Sequence, residues 1–575
     1  MNSYALAYQE WLNSEHLSDA EKAELAAISE NEGEIRSRFS SFLAFGTGGL
    51  RGIMKTGMNA MNVHTVAHTT EALAALVLAE KAADRGVVIA HDSRNNSRRF
   101  AETAASVLVA NGIKTYLFDA LRPTPELSYA VRALNCIAGI NITASHNPKE
   151  YNGYKAYWED GAQLPPEQAN VVSAKMQEID IFRDVKHLPF AECLKNPLLT
   201  ILDHTFDESY LNAILQQLID PSILKEASDF KVVYTPLHGA GTRLVPEALR
   251  RAGLTELYVV PEQEAPDGDF PTTPKPNPEY PQVFALGEAI ANRIGSDLLL
   301  ATDPDADRVG VMARTATGEF RAITGNQMGV LLLDYIITAY EKNGGLPSDP
   351  YAVKTIVSTE LATKICQSHG VTLHNVLTGF KFIGEVIKNY EEKGYGNYLL
   401  GFEESYGYLK GTYARDKDAV STSLLICEMA AYYKKSDMTL IDALDALYER
   451  YGYSFEKTEE LALSGLDGTA QITTLMTALR NDPPAEFAGS PVVMIGDYME
   501  ERFTDTRTGE KTPTGLPKSN VLYFKTEDND VVVVRPSGTE PKIKFYYLLN
   551  GASNEVCLSK QERAKAVIAR YTASL

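Results

Sequence analysis

Residues 137–148 read IAGINITASHNP. From Ile137 to Thr143 the residues are apolar or β-compatible without alternation, and they run straight into a polar, turn-forming cluster. That is the pattern of a strand buried on both faces that ends in a loop. The same arrangement recurs along the chain: VVIAH (Val87 to His91), TYLFDA, KVVYTP, LYVVP, DLLLATD and YLLGF alternate with amphipathic segments. Such alternation predicts α/β domains with mixed, largely parallel sheets. In open sheets of that kind, ligands bind at the carboxyl ends of the strands.

Outward from this centre the pattern changes. Near the C-terminus, VLYFKTEDNDVVVVRPSGTEPKIKFYYLL reads as strand, turn, strand, loop, strand, with Asp528-Asn529-Asp530 as the turn, so a smaller α+β domain is expected there. The first forty residues read as helix, with Leu12, Leu17 and Leu25 among charged residues, and Phe39, Phe42 and Phe45 follow at helical spacing. The stretch PDGDFPTTPKPNPEYP, Pro266 to Pro281, holds too much proline for a helix or a central strand and reads as an ordered loop or an inter-element linker, its flanking strands favouring a lid-like loop over disorder. No low-complexity tract or clear internal repeat is visible.

A chain of 575 residues with 44% apolar content exceeds the size of one core, so three or four domains are expected. The net charge of −20, from 55 Lys and Arg against 75 Asp and Glu, argues against nucleic-acid or anionic-membrane partners, which need a basic face. Cys136, Cys193, Cys366, Cys427 and Cys557 lie far apart without a C-x-x-C pair, as in a reduced cytosolic protein. The start MNSYALAYQEWLNSEHLSDAEK lacks an apolar leader core and no later run reaches membrane-span length, so a soluble, cytoplasmic chain is expected.

Four strand-end motifs carry chemistry. In Thr143-Ala144-Ser145-His146-Asn147-Pro148, a hydroxyl stands beside an imidazole, with Lys149, Asn152-Gly153 and Lys155 close behind. An ordinary polar turn fits these residues equally well. A hydrolase nucleophile fits worse, because there is no G-x-S-x-G elbow and no triad Asp nearby. A phosphate carried on Ser145 would find its charge offset by the lysines. In Asp303-Pro304-Asp305-Ala306-Asp307-Arg308, carboxylates at alternate positions of an extended loop would point one way and share a hard cation; a solvated acidic loop is the alternative, against which three acids this close repel one another unless a cation or Arg308 neutralises them. An EF-hand is excluded, because Arg308 and Arg314 stand where its Gly and Glu belong. Magnesium, which keeps positions for water and a phosphate oxygen, suits three carboxylates best.

Gly401-Phe402-Glu403-Glu404-Ser405-Tyr406-Gly407, followed by Arg415-Asp416-Lys417-Asp418, offers an acceptor and a donor for vicinal hydroxyls, or else a turn with solvated acids. Arg535-Pro536-Ser537-Gly538-Thr539-Glu540-Pro541-Lys542, with Lys544 beyond, joins an arginine fork to two hydroxyls around a glycine, which suits a phosphate cradle better than the alternative, a routine hairpin loop, which would not need the arginine. Two further features are weaker. His238-Gly239-Ala240-Gly241 is half of a dinucleotide fingerprint, with Leu244 where its last small residue should be, and Gly46-Thr47-Gly48-Gly49-Leu50-Arg51-Gly52 lacks the Lys-Ser/Thr ending of a P-loop.

Taken together, TASHNP, DPDADR, EESYG and RPSGTEPK, in that order, resemble the α-D-phosphohexomutase superfamily, in its phosphoglucomutase and phosphopentomutase branch, over most of the chain. FGTGGLRG and Thr378-Gly379-Phe380-Lys381 are similar to further family loops. The resemblance implies a heart-shaped enzyme of three related α/β domains and a C-terminal α+β domain, at residues 1–205, 206–325, 326–452 and 453–575. It implies that Ser145 carries the transferable phosphate, and that Asp303, Asp305 and Asp307, with Ser145 beside them, hold Mg²⁺. Glu403 and Ser405 would read sugar hydroxyls, with Thr378, Gly379 and Lys381 facing the ligand, and Arg535, Ser537, Gly538 and Thr539 would hold the non-reacting phosphate. Arg51, His146, Lys155 and Lys417 fall where acid/base and charge-stabilising groups belong. Gly48 and Tyr406 depart slightly from the family pattern, which more often has Ala and Phe there.

The implied reaction is interconversion of glucose 1-phosphate and glucose 6-phosphate through glucose 1,6-bisphosphate, which would also act as activator. The implied partners are small sugar phosphates, and the implied state a monomer, with a dimer as the alternative. Phosphopentomutase or bisphosphate-synthase activity in the same superfamily, a metal-dependent phosphatase and a non-catalytic sugar-phosphate sensor are the alternatives.

Overall fold

The computed structural model describes residues 3–46, 48–463, 468–537 and 542–573. Two compact units result: one gathers Met1–Ile323, Gly384–Gly394 and Tyr406–Thr439, the other Thr324–Ile383, Tyr395–Ser405 and Leu440–Leu575.

The first unit contains two mixed sheets. One orders its strands Gly49–Ile53, Tyr151–Trp158, Ala138–Ile142, Val87–His91, Thr115–Phe118 and Leu199–Leu202, antiparallel in its first two pairings and parallel thereafter. Val87–His91 and Ala138–Ile142 are buried at every position, as their unbroken apolar runs require. Alternate residues feed two cores. Ile89 and Ile140 pack with Leu73, Val77 and Leu108 of helices Val63–Ala79 and Ser97–Ala110, while Val88 and Ala90 pack with Leu127 and Val131 of helix Thr124–Ala133. The other sheet orders Phe320–Ile323, Val309–Arg314, Leu298–Thr302, Lys231–Thr235 and Glu256–Val259, the first two pairings antiparallel and the last two parallel.

Helices Ser3–Leu12, Asp19–Ala26 and Glu32–Phe39 close around Trp11, Leu25 and Phe39. The helical spacing of Phe42 and Phe45 is not used. The helix stops at Phe39, the Leu43 N–H donates to the Met58 carbonyl at 3.0 Å instead, and Phe45 enters the sheet core from non-helical chain. The proline-rich stretch is ordered as expected, but it is anchored rather than free-standing, with Phe270, Thr273 and Asn277 buried.

In the second unit, Thr372–Val376, Pro350–Thr355 and Asn397–Glu403 pair in parallel. Helix Gly325–Lys342, started by a Thr324/Gln327 capping box, brings Gly329 against the Phe402 ring. The C-terminal sheet is antiparallel, in the order Tyr453–Ala462, Lys542–Gly551, Val531–Pro536, Leu522–Thr526, Ser490–Asp497, Arg502–Asp505 and Lys511–Pro513. Its four valines divide by the strand period: Val532 and Val534 pack with Leu475, Leu479 and Val567 of helices Gly468–Asn481 and Asn554–Thr572, and Val531 and Val533 pack with Ile356, Leu377 and Tyr546. The expected turn lies at Asn529, whose φ is +62°. All five cysteines are free and buried.

The half-fingerprint at His238-Gly239 has a structural explanation. A Cβ on Gly239 would stand 2.5 Å from Pro304 Cα, because the Ala240 N–H donates to the Pro304 carbonyl at 2.7 Å and draws the two loops together. We therefore expect Gly239→Ala to destabilise the protein by about 1–3 kcal/mol through overpacking, measured by denaturant unfolding. Gly33→Ala, on an exposed helix with its nearest neighbour 3.5 Å away, should be neutral or slightly stabilising.

Candidate active site

Within the first unit the ends of two strands supply the serine and the acids. Strand Ala138–Ile142 ends at the serine loop, and Ser145 itself takes φ +53°, a left-handed conformation that costs a non-glycine residue energy. Ser145 is 8% exposed. Its N–H donates to Thr143 Oγ1 at 2.9 Å, its Oγ donates to Asp303 Oδ2 at 2.9 Å, and His146 Nδ1 lies 3.1 Å from Ser145 Oγ. Strand Leu298–Thr302 ends at the acidic loop. This loop is not the extended segment its alternation suggested: Ala306 sits at φ +51°, and Asp303 Oδ1 accepts the N–H groups of Asp307 (3.2 Å) and Arg308 (3.1 Å), winding the loop into a tight turn. The turn still brings the three carboxylates together, with a ligand oxygen from each of Asp303, Asp305 and Asp307 within 4.8 Å of one another.

Positive groups meet these acids from two other segments. Lys155, on strand Tyr151–Trp158, lies 2.7 Å from Asp305 Oδ2 and 3.5 Å from Asp307 Oδ2. Lys417 lies 2.9 Å from Asp307 Oδ2 and 3.1 Å from Asp416 Oδ1, and Asp416 also accepts the Tyr157 hydroxyl at 2.8 Å. Arg308 donates to Glu279 Oε1 at 2.7 Å and stands 3.8 Å from Asp307 Oδ1. On the edge strand Gly49–Ile53, Arg51 lies opposite Gly153 and donates to Asn147 Oδ1 at 2.9 Å, so it flanks the serine loop.

The acids fit a hard divalent cation. Asp305 Oδ1 and Asp307 Oδ1 are buried and, among the described residues, accept no hydrogen bond. Burial pushes the Asp303 carboxyl well above the usual carboxylate range, and the charges of Asp305 and Asp307 push it further. Burial acts on Asp305 in the same sense, but the ammonium and hydrogen bond of Lys155, with Thr124, hold it below the normal value. An unfilled cluster therefore tends to keep a proton, and a bound cation would displace it. Burial, then the charges of Arg308 and Arg51, hold the His146 imidazole well below its usual range, so it is neutral beside Ser145.

In the second unit, the Gly379 N–H donates to Glu403 Oε1 at 2.9 Å, joining the Thr378-Gly379 loop to the end of strand Asn397–Glu403. Thr355 Oγ1 donates to Glu404 Oε2 at 3.1 Å, so the middle residue of Glu403-Glu404-Ser405 bonds to the neighbouring strand. Lys381 lies over the Phe382 ring, 5.2 Å from its centroid. Arg535 Nη1 donates to the Tyr546 hydroxyl at 3.4 Å, and the Ser537 N–H donates to the Lys542 carbonyl at 2.8 Å. Burial and then the charge of Glu404 raise the Tyr546 pKa, with Arg535 opposing. Gly538 and Thr539 lie outside the described residues.

Sequence reasoning missed several supporting groups. Thr124 donates its hydroxyl to Asp305 Oδ2 and its N–H to the Asp305 carbonyl, both at 2.8 Å, and Asn141 donates to Thr124 Oγ1 at 2.7 Å. Arg94 and Asp92 lie just past strand Val87–His91. The signal that could have found Arg94 and Asp92 was the strand-end position already used for Ser145, and Thr124 follows the end of strand Thr115–Phe118 in the same way.

Three family models match the chain: Phosphoglucomutase/phosphomannomutase, alpha/beta/alpha domain I over residues 43–182, domain II over 208–318 and domain III over 324–451. The chain belongs to the phosphoglucomutase/phosphomannomutase family, within the α-D-phosphohexomutase superfamily. Among its relatives, a phosphoglucomutase of Staphylococcus saprophyticus is 36% identical over 520 residues, covering 90% of this chain and 93% of that protein. A phosphoglucomutase of Staphylococcus aureus strain MRSA252 is 37% identical over 516 residues, covering 90% and 91%. The fold is shared with the open form of the exocytosis-sensitive phosphoprotein pp63/parafusin, a phosphoglucomutase of Paramecium, at TM-score 0.69 and 18% identity over 93% of this chain and 96% of that one. It is shared too with a phosphoglucomutase/phosphomannomutase family protein of Burkholderia thailandensis, at TM-score 0.65 and 19% identity over 92% and 97%.

A divalent cation should raise the melting temperature, with a stabilisation of about 2.7 kcal/mol once its concentration is a hundredfold over Kd. Asp307→Asn should lose most of that rise while remaining folded. An equal rise in the variant, followed by scanning calorimetry, would remove the cation from this site.

Proposed function

We propose that this chain is a phosphoglucomutase that interconverts glucose 1-phosphate and glucose 6-phosphate, with phosphorylated Ser145 as donor and glucose 1,6-bisphosphate as intermediate and activator. The observation that carries this reading is the Ser145 hydroxyl, bonded to Asp303 at 2.9 Å within a cluster of buried acids and lysines. Among the described residues this serine is not part of a hydrolase triad, and it has what phosphoryl transfer needs: fixed position, and positive charge around the phosphoryl oxygens.

In the first half-reaction the Ser145 Oγ–P bond breaks as the free hydroxyl of the sugar monophosphate bonds to phosphorus, and that hydroxyl gives up its proton. In the second, the reoriented bisphosphate returns its other phosphoryl group to Ser145 Oγ and regains a proton on the freed sugar oxygen. Mg²⁺ held by Asp303, Asp305 and Asp307 would supply charge neutralisation at the transferring group. Lys155 and Lys417 add fixed positive charge there, and the neutral His146 accepts a hydrogen bond or proton at its ring nitrogen. Arg51 and Arg308 offset phosphate charge. Glu403 and Ser405 read sugar hydroxyls, the former pinned by the Gly379 N–H, with Thr378 and Lys381 alongside; Arg535, Ser537, Gly538 and Thr539 take the non-reacting phosphate. Glucose is favoured as the sugar by the Glu403-Glu404-Ser405 sequence. Four domains divided near residues 205, 325 and 452, a monomeric state and a cytoplasmic location complete the reading. Among the described residues, no helix is long and apolar enough to cross a membrane.

The test is conversion of glucose 1-phosphate to glucose 6-phosphate with Mg²⁺ and a trace of glucose 1,6-bisphosphate. Ser145→Ala should lose at least about 10³-fold in kcat, since the nucleophile is gone. A folded variant that turns over normally, or a wild type that converts none of the substrate, sinks the proposal.

A further inference from the structure

The sequence Asp92-Ser93-Arg94 follows strand Val87–His91, and the Arg94 side chain is wholly buried. Among the described residues its guanidinium donates to backbone carbonyls of the serine loop and of the strand that follows it: Nη1 to Pro148 (2.9 Å) and Tyr151 (3.1 Å), Nη2 to Ser145 (2.6 Å) and Asn147. Nε faces Asp92 Oδ2 at 3.3 Å, and the Asp92 carboxylate is itself held by the Arg94 N–H (2.9 Å) and the Ser97 hydroxyl (2.7 Å). One face of the fork lies over the Phe270 ring, 5.0 Å from its centroid, and Phe270 belongs to the proline-rich segment that no other role has absorbed. The neighbouring Asp269 reaches the same loop, with Lys149 3.3 Å away and Asn95 donating to it at 3.3 Å.

The Ser145 turn needs such a hold. A left-handed serine persists only where its surroundings over-determine it, and the turn's own bonds are few: the Ser145 N–H to Thr143 Oγ1, and a 3.2 Å bond from the Asn147 N–H to the Ala144 carbonyl. We propose that Arg94, clamped between Asp92 and Phe270, is the positioning residue that fixes the left-handed Ser145 turn and so aims its hydroxyl at the acidic loop. Arg94 touches no reacting atom. Its four carbonyl contacts are made from one rigid plane, which a lysine cannot reproduce with a single ammonium. The contacts involve no side-chain atom of Ser145, so the turn keeps its geometry with or without a phosphate on the serine. The proposal rests on the mutase reading for its kinetic arm, and its structural arm is independent of turnover.

Arg94→Lys keeps the charge opposite Asp92 and discards the fork. In that variant kcat should fall about 10²-fold, as a misaimed nucleophile does, with KM within roughly threefold of wild type. Amide hydrogen exchange at Asn147 and Tyr151 should speed up at least about tenfold, reporting local opening. Wild-type kcat together with wild-type exchange in the folded variant overturns the proposal. If Arg94→Lys does not fold, Phe270→Leu decides: it removes the ring and leaves the carbonyl bonds, so faster exchange with a several-fold lower kcat supports the clamp, and no change in either overturns it. Exchange read on the Ser145→Ala background separates this outcome from failure of the mutase reading, because that background needs no activity.

Discussion

Buried carboxylates repel one another strongly, and the ion pair between Lys155 and Asp305, 2.7 Å long, is what lets this loop exist. Asp305 is completely buried and Lys155 largely so, and the pair ties the acidic loop of one sheet to the antiparallel strand of the other. Thr124 and Asn141 extend the same tie through the start of a helix and a central strand. Lys417 and Asp416 close it from the far side, through Asp307 and Tyr157. Without opposite charge at these distances, desolvation would drive protons onto the acids and empty the site of its negative charge.

Around that electrostatic centre, the first unit repeats one construction. Parallel strands deliver loops at their carboxyl ends, and each loop contributes one chemical capacity: the serine, the acids, the supporting arginine and threonine. Backbone strain is concentrated at the same points. Ser145 and Ala306 are both left-handed, as are Leu237 and His238 in the loop that meets Pro304. Each is held by nearby bonds or close packing, the pattern expected where geometry is fixed for function and strain is compensated by surrounding contacts.

Much of this was legible in the sequence. Unbroken apolar runs identified the central strands, and strand-end motifs identified Ser145, the aspartates and the sugar-loop acids, because residue type and position both pointed to chemistry. What remained hidden depended on contacts between segments distant in the chain. Nothing local tells that Arg94 serves a loop fifty residues onward, or that Gly239 is small because Pro304 presses on it. The alternation in Asp303-Pro304-Asp305-Ala306-Asp307 suggested an extended loop, yet the amide bonds to Asp303 wind it into a turn, and the three side chains still converge. The aromatic spacing of Phe39, Phe42 and Phe45 imitated a helix, but a tertiary bond from Leu43 ends it.

The first unit is discontinuous in the chain, and this has a bearing on its synthesis. Residues Tyr406–Thr439, which carry Lys417 and Asp416, are made only after residues 324–383 of the second unit. A nascent chain bearing the serine and all three aspartates therefore still lacks one of the two ammonium groups that neutralise them. At ~5–20 residues per second the ribosome needs roughly 20–90 s to reach residue 440, so the Lys417 contribution to the acidic loop arrives late, well after that of Lys155. Translation pauses before that codon would lengthen the life of an under-neutralised intermediate, so the timing of elongation becomes part of how this site is assembled.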